Sequence, residues 1–157
     1  MSAPSEILTL GWREWVSLPD IGIRQVKAKV DTGARTSALH AFEVRPYSDQ
    51  GRDRVEFRMH PIQKDDNTIV TCNADIIDTR TVTDSGGHTE LRPVILTSVL
   101  LGDLSKKIEI TLTNRESMKF RMLLGRTAML DDCIVDPAKS YQLGEIKRAE
   151  PNRREKL

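Results

Sequence analysis

The chain has 157 residues, 38% of them apolar and 30% charged, with a net charge of +1. This composition excludes a disordered chain, and the longest apolar runs, such as "PVIL" and "SVLLG", are far too short to span a bilayer as a helix. It fits a single domain able to bury a core without disulfides, with no general pull toward nucleic acid or a membrane surface.

In chain order, "MSAPSEILTLGW" has no basic segment and no apolar stretch of the export type, so a cytoplasmic location is expected by default. "EILTL" and "REWVSLP" are short runs of β-formers, and "IGIRQVKAKVD" alternates apolar and polar residues with one slip. "LHAFEVRPY", "RVEFRMHPI", "TIVTCNADII", "RTVTDSGGHTELRPVIL", "KIEITLTN" and "MKFRMLLG" follow, each bounded by Pro, Gly, Asn or Asp. Ser85, Gly86 and Gly87 read as the flexible tip of a hairpin. Only "RTAMLDDC" reads as a helical turn or two. The expectation is all-β: a small closed barrel over residues 1–146 with one short C-terminal helix. The tail 147–157 is charged, nearly free of apolar residues and expected to be disordered.

Within this pattern, Asp31-Thr32-Gly33 ends one apolar strand and runs straight into another. A tight hairpin needs only two polar residues and no threonine between them. Further along, "MLLGRTAML" ends a second strand in two leucines, a glycine and an arginine. Arginines outnumber lysines 15 to 9; most are expected on the solvated surface, although guanidinium forks also suit carboxylates and phosphates.

The pairing of Asp-Thr-Gly-Ala with a downstream apolar-apolar-Gly-Arg strand resembles the retropepsin-type aspartic proteases. More closely, "KVDTGARTSALHA", "ELRPVI", "ITLTNRESMKFRMLLGRTAM" and "DPAKSYQLG" resemble a bacterial family that carries the label ATP-dependent zinc protease. Its members are associated with ATP-grasp glutamate ligases that modify a ribosomal protein. The resemblance covers roughly residues 7 to 145. It implies a barrel of the acid-protease type in which Asp31 is catalytic, Thr32 locks two such loops together and Gly33 lets the backbone turn close to a water. Two carboxyls about three ångströms apart can share one proton and act as base and acid together. This chain has one such motif, so a twofold homodimer is implied.

The resemblance also implies that Ala34, Arg35 and Arg126 border the substrate and that Ser85, Gly86 and Gly87 form a closing flap, although an ordinary exposed turn is an equal reading of that tip. Alanine at 34 has no hydroxyl to hold the aspartate ionised, which suits work near neutral pH. About thirty residues are inserted relative to the viral enzymes, assigned to "DQGRDRVEFRMHPIQKDDNTIVTCNAD", a stretch able to reshape or replace the flap. Arg35 stands where retropepsins commonly carry an acid paired with the Gly-Arg arginine. It is expected to meet either a substrate carboxylate or a local acid such as Asp131 or Asp132.

His40, His60, Cys72, His88 and Cys133 have no metal-site spacing, and no phosphate-binding glycine loop occurs, so neither zinc nor another cofactor is expected. Cys72 and Cys133 read as ordinary thiols. The leading reading is an aspartic-type peptidase acting on acidic or polyglutamylated tails. A non-catalytic barrel that docks on and regulates a glutamate ligase is the alternative, and a metallopeptidase with scattered ligands a distant third.

Overall fold

The computed structural model describes residues 7–63, 65, 67–83, 86–114 and 119–145. The tail 147–157 and Ser85 lie outside the described residues.

Strand alternation builds the core. In β2 (Arg13–Leu18) and β3 (Ile23–Val30), Val16, Val26, Ala28 and Val30 point inward, and the polar residues between them point outward. These strands pair antiparallel around the turn at Gly22, whose φ of 83° is the left-handed geometry that glycine adopts without strain. The short strand β4 (Ser37–His40) is buried throughout. Next come β5 (Phe42–Asp49) and β6 (Arg52–Met59), joined by Gln50 and Gly51, both at positive φ (52° and 81°), as a two-residue hairpin with right-handed twist requires.

The next strand, β7 (Val70–Thr83), is continuous through a stretch whose sequence reads as two separate strands. Its first half pairs with β6; after an irregularity between Ile76 and Asp78, its second half pairs with β8 (Thr89–Leu101). β9 (Leu104–Thr113) returns along β8, and β10 (Met122–Leu124) closes the motif region.

The sheet order is β2-β3-β10-β4-β9-β8-β7-β6-β5, and the pair Ser17–Leu100 brings β2 against β8. The expected barrel is therefore a strongly curled sheet, joined at that single pair and extended beyond β8 by β7, β6 and β5. The expected short helix is a 3-10 turn, Arg126–Ala128. Leu10, Leu18, Ile23, Leu39, Phe57 and Ile95 are fully buried in one continuous core. Among the described residues no helix is long and apolar enough to cross a membrane.

The two ends of the described chain are tied together. β1 (Leu8–Leu10) pairs parallel with β11 (Cys133–Val135). Beside it Glu14, fully buried, accepts backbone N–H groups from Gly11 (2.7 Å), Gln142 (2.8 Å) and Leu143 (2.9 Å). A buried carboxylate must be satisfied in this way, and here one local backbone donor and two from the distant C-terminal segment do so. Gly11 is part of the clasp, because a Cβ there would lie 2.1 Å from the Lys139 carbonyl oxygen.

Candidate active site

Asp31 stands where β3 ends. Its N–H donates to the Leu124 carbonyl (2.9 Å), because β10 runs parallel to β3 with Leu124 opposite Val30. The chain then turns on itself: the Ala34 N–H donates to the Asp31 carbonyl (3.2 Å), and the Gly33 N–H donates to Asp31 Oδ1 (2.9 Å). A Cβ at position 33 would sit 3.3 Å from that same oxygen, a tight contact that glycine avoids. The Asp31 side chain is half-buried, and Thr32 and Gly33 are exposed.

The second loop crosses the first backbone to backbone. The Gly125 N–H donates to the buried Ser37 Oγ (2.9 Å), the Arg126 N–H to the Ala34 carbonyl (2.7 Å) and the Thr127 N–H to the Arg35 carbonyl (3.0 Å). A Cβ on Gly125 would lie 2.6 Å from the Thr36 carbonyl carbon and 2.8 Å from the Ser37 nitrogen, so no larger residue fits without parting the loops. Arg126 Nη1 donates to the Thr32 carbonyl (2.8 Å). That bond braces the turn carrying the aspartate, a role distinct from the expected substrate contact.

Arg35 is exposed, and among the described residues its side chain makes no ion pair or hydrogen bond. The local partners that the sequence offers are not used: Asp132 pairs instead with Lys106 (2.6 Å). Gly86 and Gly87 lie exposed at the tip between β7 and β8. The inserted residues form the end of β5, then β6 and the first half of β7. They pair on the first half of β7, ahead of the residues that form the β7–β8 hairpin.

The remaining candidates are dispersed. His40 is buried in β4, His60 stacks on Phe42 with ring centroids 4.7 Å apart, and His88 is exposed. Cys72 is in the core, where burial pushes its thiol pKa up to about 12; Cys133 is half-buried in β11, and desolvation raises its pKa too. Among the described residues no group of three His, Cys, Asp or Glu side chains could hold a metal ion.

Two residues central to this architecture escaped the sequence reading, Ser37 and Glu14. A serine and a glutamate that break otherwise apolar inward-facing rows, in "TSALHA" and "REWVSL", are the signal that could have found them.

With one carboxyl per chain, such a site can act as base or acid but not as both at once. A sequence profile described as RimB-like, "Retropepsin-like aspartic endopeptidase RimB", matches residues 9–145. Proteins named "Probable alpha-L-glutamate ligase" from Shewanella pealeana and Desulfotalea psychrophila are each 44% identical over 87% and 88% of this chain. The matched region is only 30% of each of those relatives, so this chain spans under a third of their length. The crystal structure of a Legionella pneumophila protein of unknown function is similar in fold, with a TM-score of 0.74, 27% identity and coverage of 88% of this chain and 99% of that one.

Proposed function

The chain belongs to the RimB-like family of retropepsin-like aspartic endopeptidases, and from that premise we propose that it is an aspartic-type peptidase, working as a homodimer in which Asp31 of each chain flanks one water. One carboxylate takes a proton from the water as its oxygen attacks the peptide carbonyl carbon. The other carboxyl, protonated, gives its proton to the carbonyl oxygen. The tetrahedral diol then collapses: the C–N bond breaks, the nitrogen takes up a proton from the carboxyl that received the water's, the other carboxylate takes back one hydroxyl proton, and a carboxylic acid and an amine leave. No cofactor takes part.

The observation that carries this reading is an incomplete but rigidly mounted half-site. The Asp31 turn is fixed by the Leu124 carbonyl, by Arg126 and by the Gly125 crossing, while Thr32 and Gly33 remain exposed. A second copy related by a twofold axis through this loop would supply the missing carboxyl, and Thr32 would lock the two turns together. Gly86 and Gly87 would close over the substrate as a flap.

The substrates we propose are acidic or polyglutamylated protein tails in the cytoplasm, such as ligases of the kind named among the relatives would make. Exposed Arg35, four residues beyond the aspartate and without a side-chain partner among the described residues, would take a substrate carboxylate. Incubating a glutamate-tailed peptide with wild-type and Asp31→Asn protein, with products read by mass spectrometry, tests this: new fragments are expected from wild type only. Equal fragments from both proteins would sink the mechanism.

One observation favours a second reading. This domain accounts for 30% of relatives named as glutamate ligases, so it could act as a module that binds and regulates a ligase. Ligase activity that changes equally on adding wild-type or Asp31→Asn protein, with no peptide cleaved, would select that reading.

A further inference from the structure

Charge is unevenly distributed over this fold. Arg45, Arg52, Arg54, Arg58, Arg80 and Arg92, on β5 to β8, all pair with carboxylates. The outer face of β2 and β3 is different. Arg13 lies opposite Lys29, and Trp15 opposite Lys27. Among the described residues none of these three cations makes an ion pair.

Rings hold two of them in place. The Arg13 guanidinium carbon sits 4.4 Å from the Trp12 ring centroid and 4.9 Å from that of Tyr141, and its Nε donates to Ser140 Oγ (3.2 Å). Lys27 Nζ lies 5.1 Å from the Trp15 centroid and 5.9 Å from Tyr141. A guanidinium held between two rings keeps its in-plane N–H edge free for a forked oxyanion, with little side-chain freedom left to lose. Lys29 is exposed and two residues before Asp31, which follows directly on the end of β3.

We propose that the face formed by Trp12, Arg13, Trp15, Lys27, Lys29 and Tyr141 is a carboxylate-binding exosite, which takes the acidic side chains of a peptide running past Asp31. The proposal rests on the acidic-peptidase reading above and adds to it the residues that select the substrate. Carboxylates fit better than a nucleic acid, because the protein's own cations already cover ring faces on which bases would stack.

The chain's two tryptophans, Trp12 and Trp15, both lie on this face, so their fluorescence reports its occupancy. Full-length Asp31→Asn protein is titrated with hexa-L-glutamate, with a glutamine peptide of the same length and with oligothymidylate. A saturable change is expected with the glutamate peptide alone, weakened by salt. Lys29→Glu should weaken it roughly tenfold and Arg13→Gln at least fivefold. Among the described residues the Lys29 side chain makes no hydrogen bond or ion pair, so its variant is expected to stay folded even if the Arg13 variant does not.

In cleavage assays Lys29→Glu should raise KM for the acidic peptide more than it lowers kcat. No fluorescence response, an unchanged affinity in Lys29→Glu, or tighter binding of the oligonucleotide would overturn the exosite. Binding with the expected losses but no cleavage by wild type would instead refute the peptidase reading and leave the exosite standing.

Discussion

Replacing Glu14 by glutamine changes one oxygen to an NH2 group and removes a charge that three backbone N–H groups surround. Glu14 Oε2 accepts from Gly11 (2.7 Å) and Gln142 (2.8 Å), and Oε1 accepts from Leu143 (2.9 Å). The glutamine oxygen can keep the first two bonds, each losing about 1 kcal/mol as it passes from charge-assisted to neutral. Its NH2 must then face the Leu143 N–H, donor against donor, at a fully buried position. That mismatch costs about 1–3 kcal/mol.

The sum, roughly 3–5 kcal/mol, is a large part of the stability of an ordinary domain. It should appear in urea denaturation as a lower midpoint with an unchanged slope. Glu43→Gln, at an exposed ion pair with Arg58, is the control and should cost well under 1 kcal/mol. A Glu14→Gln loss no larger than the control's would refute the reasoning, since the carboxylate would then not be holding the two chain ends together.

Gly125→Ala forces a Cβ into the Thr36–Ser37 backbone and should cost about 1–3 kcal/mol or more in chemical denaturation, with peptidase activity falling further than stability accounts for. Arg35→Glu should reduce kcat/KM for a glutamate-rich peptide by about tenfold at low salt and leave a neutral peptide nearly unaffected; a lowered melting temperature with unchanged preference would make Arg35 structural. Burial raises the Cys72 thiol from 9.0 to about 12, so only the unfolded chain ionises it between those values. Wild type should therefore lose about 1.4 kcal/mol of stability per pH unit above 9 relative to Cys72→Ala, measured by urea midpoints, and the difference should be constant below pH 8. Sedimentation should find a dimer at high concentration or with bound substrate; a monomer with full peptidase activity at every concentration would contradict the shared dyad.

The all-β character was legible because strand signals are local. Inward Val26, Ala28 and Val30 alternate with polar neighbours at period two, and Gly22, Gly51 and Gly87 mark turns that need positive φ. The two motifs around Asp31 and Gly125 were legible as types: a turn without a Cβ at 33, and a glycine at a strand end. Their contact was not derivable from either stretch, because it depends on β3 and β10 pairing in parallel across the whole intervening chain.

Tertiary structure alone decided the rest. The inserted residues became β6 and the first half of β7, which pair with each other and run on into the β7 residues that pair with β8. Asp132 went to Lys106, and among the described residues Arg35 has no acid paired with it. Glu14 collected donors from Gln142 and Leu143, and Tyr141 came over Arg13, only because the C-terminal segment returns across β2. Periodicity fixes which face of a strand is apolar. Which distant backbone arrives to satisfy a buried carboxylate, or to sandwich a guanidinium, depends on the packing of the whole chain.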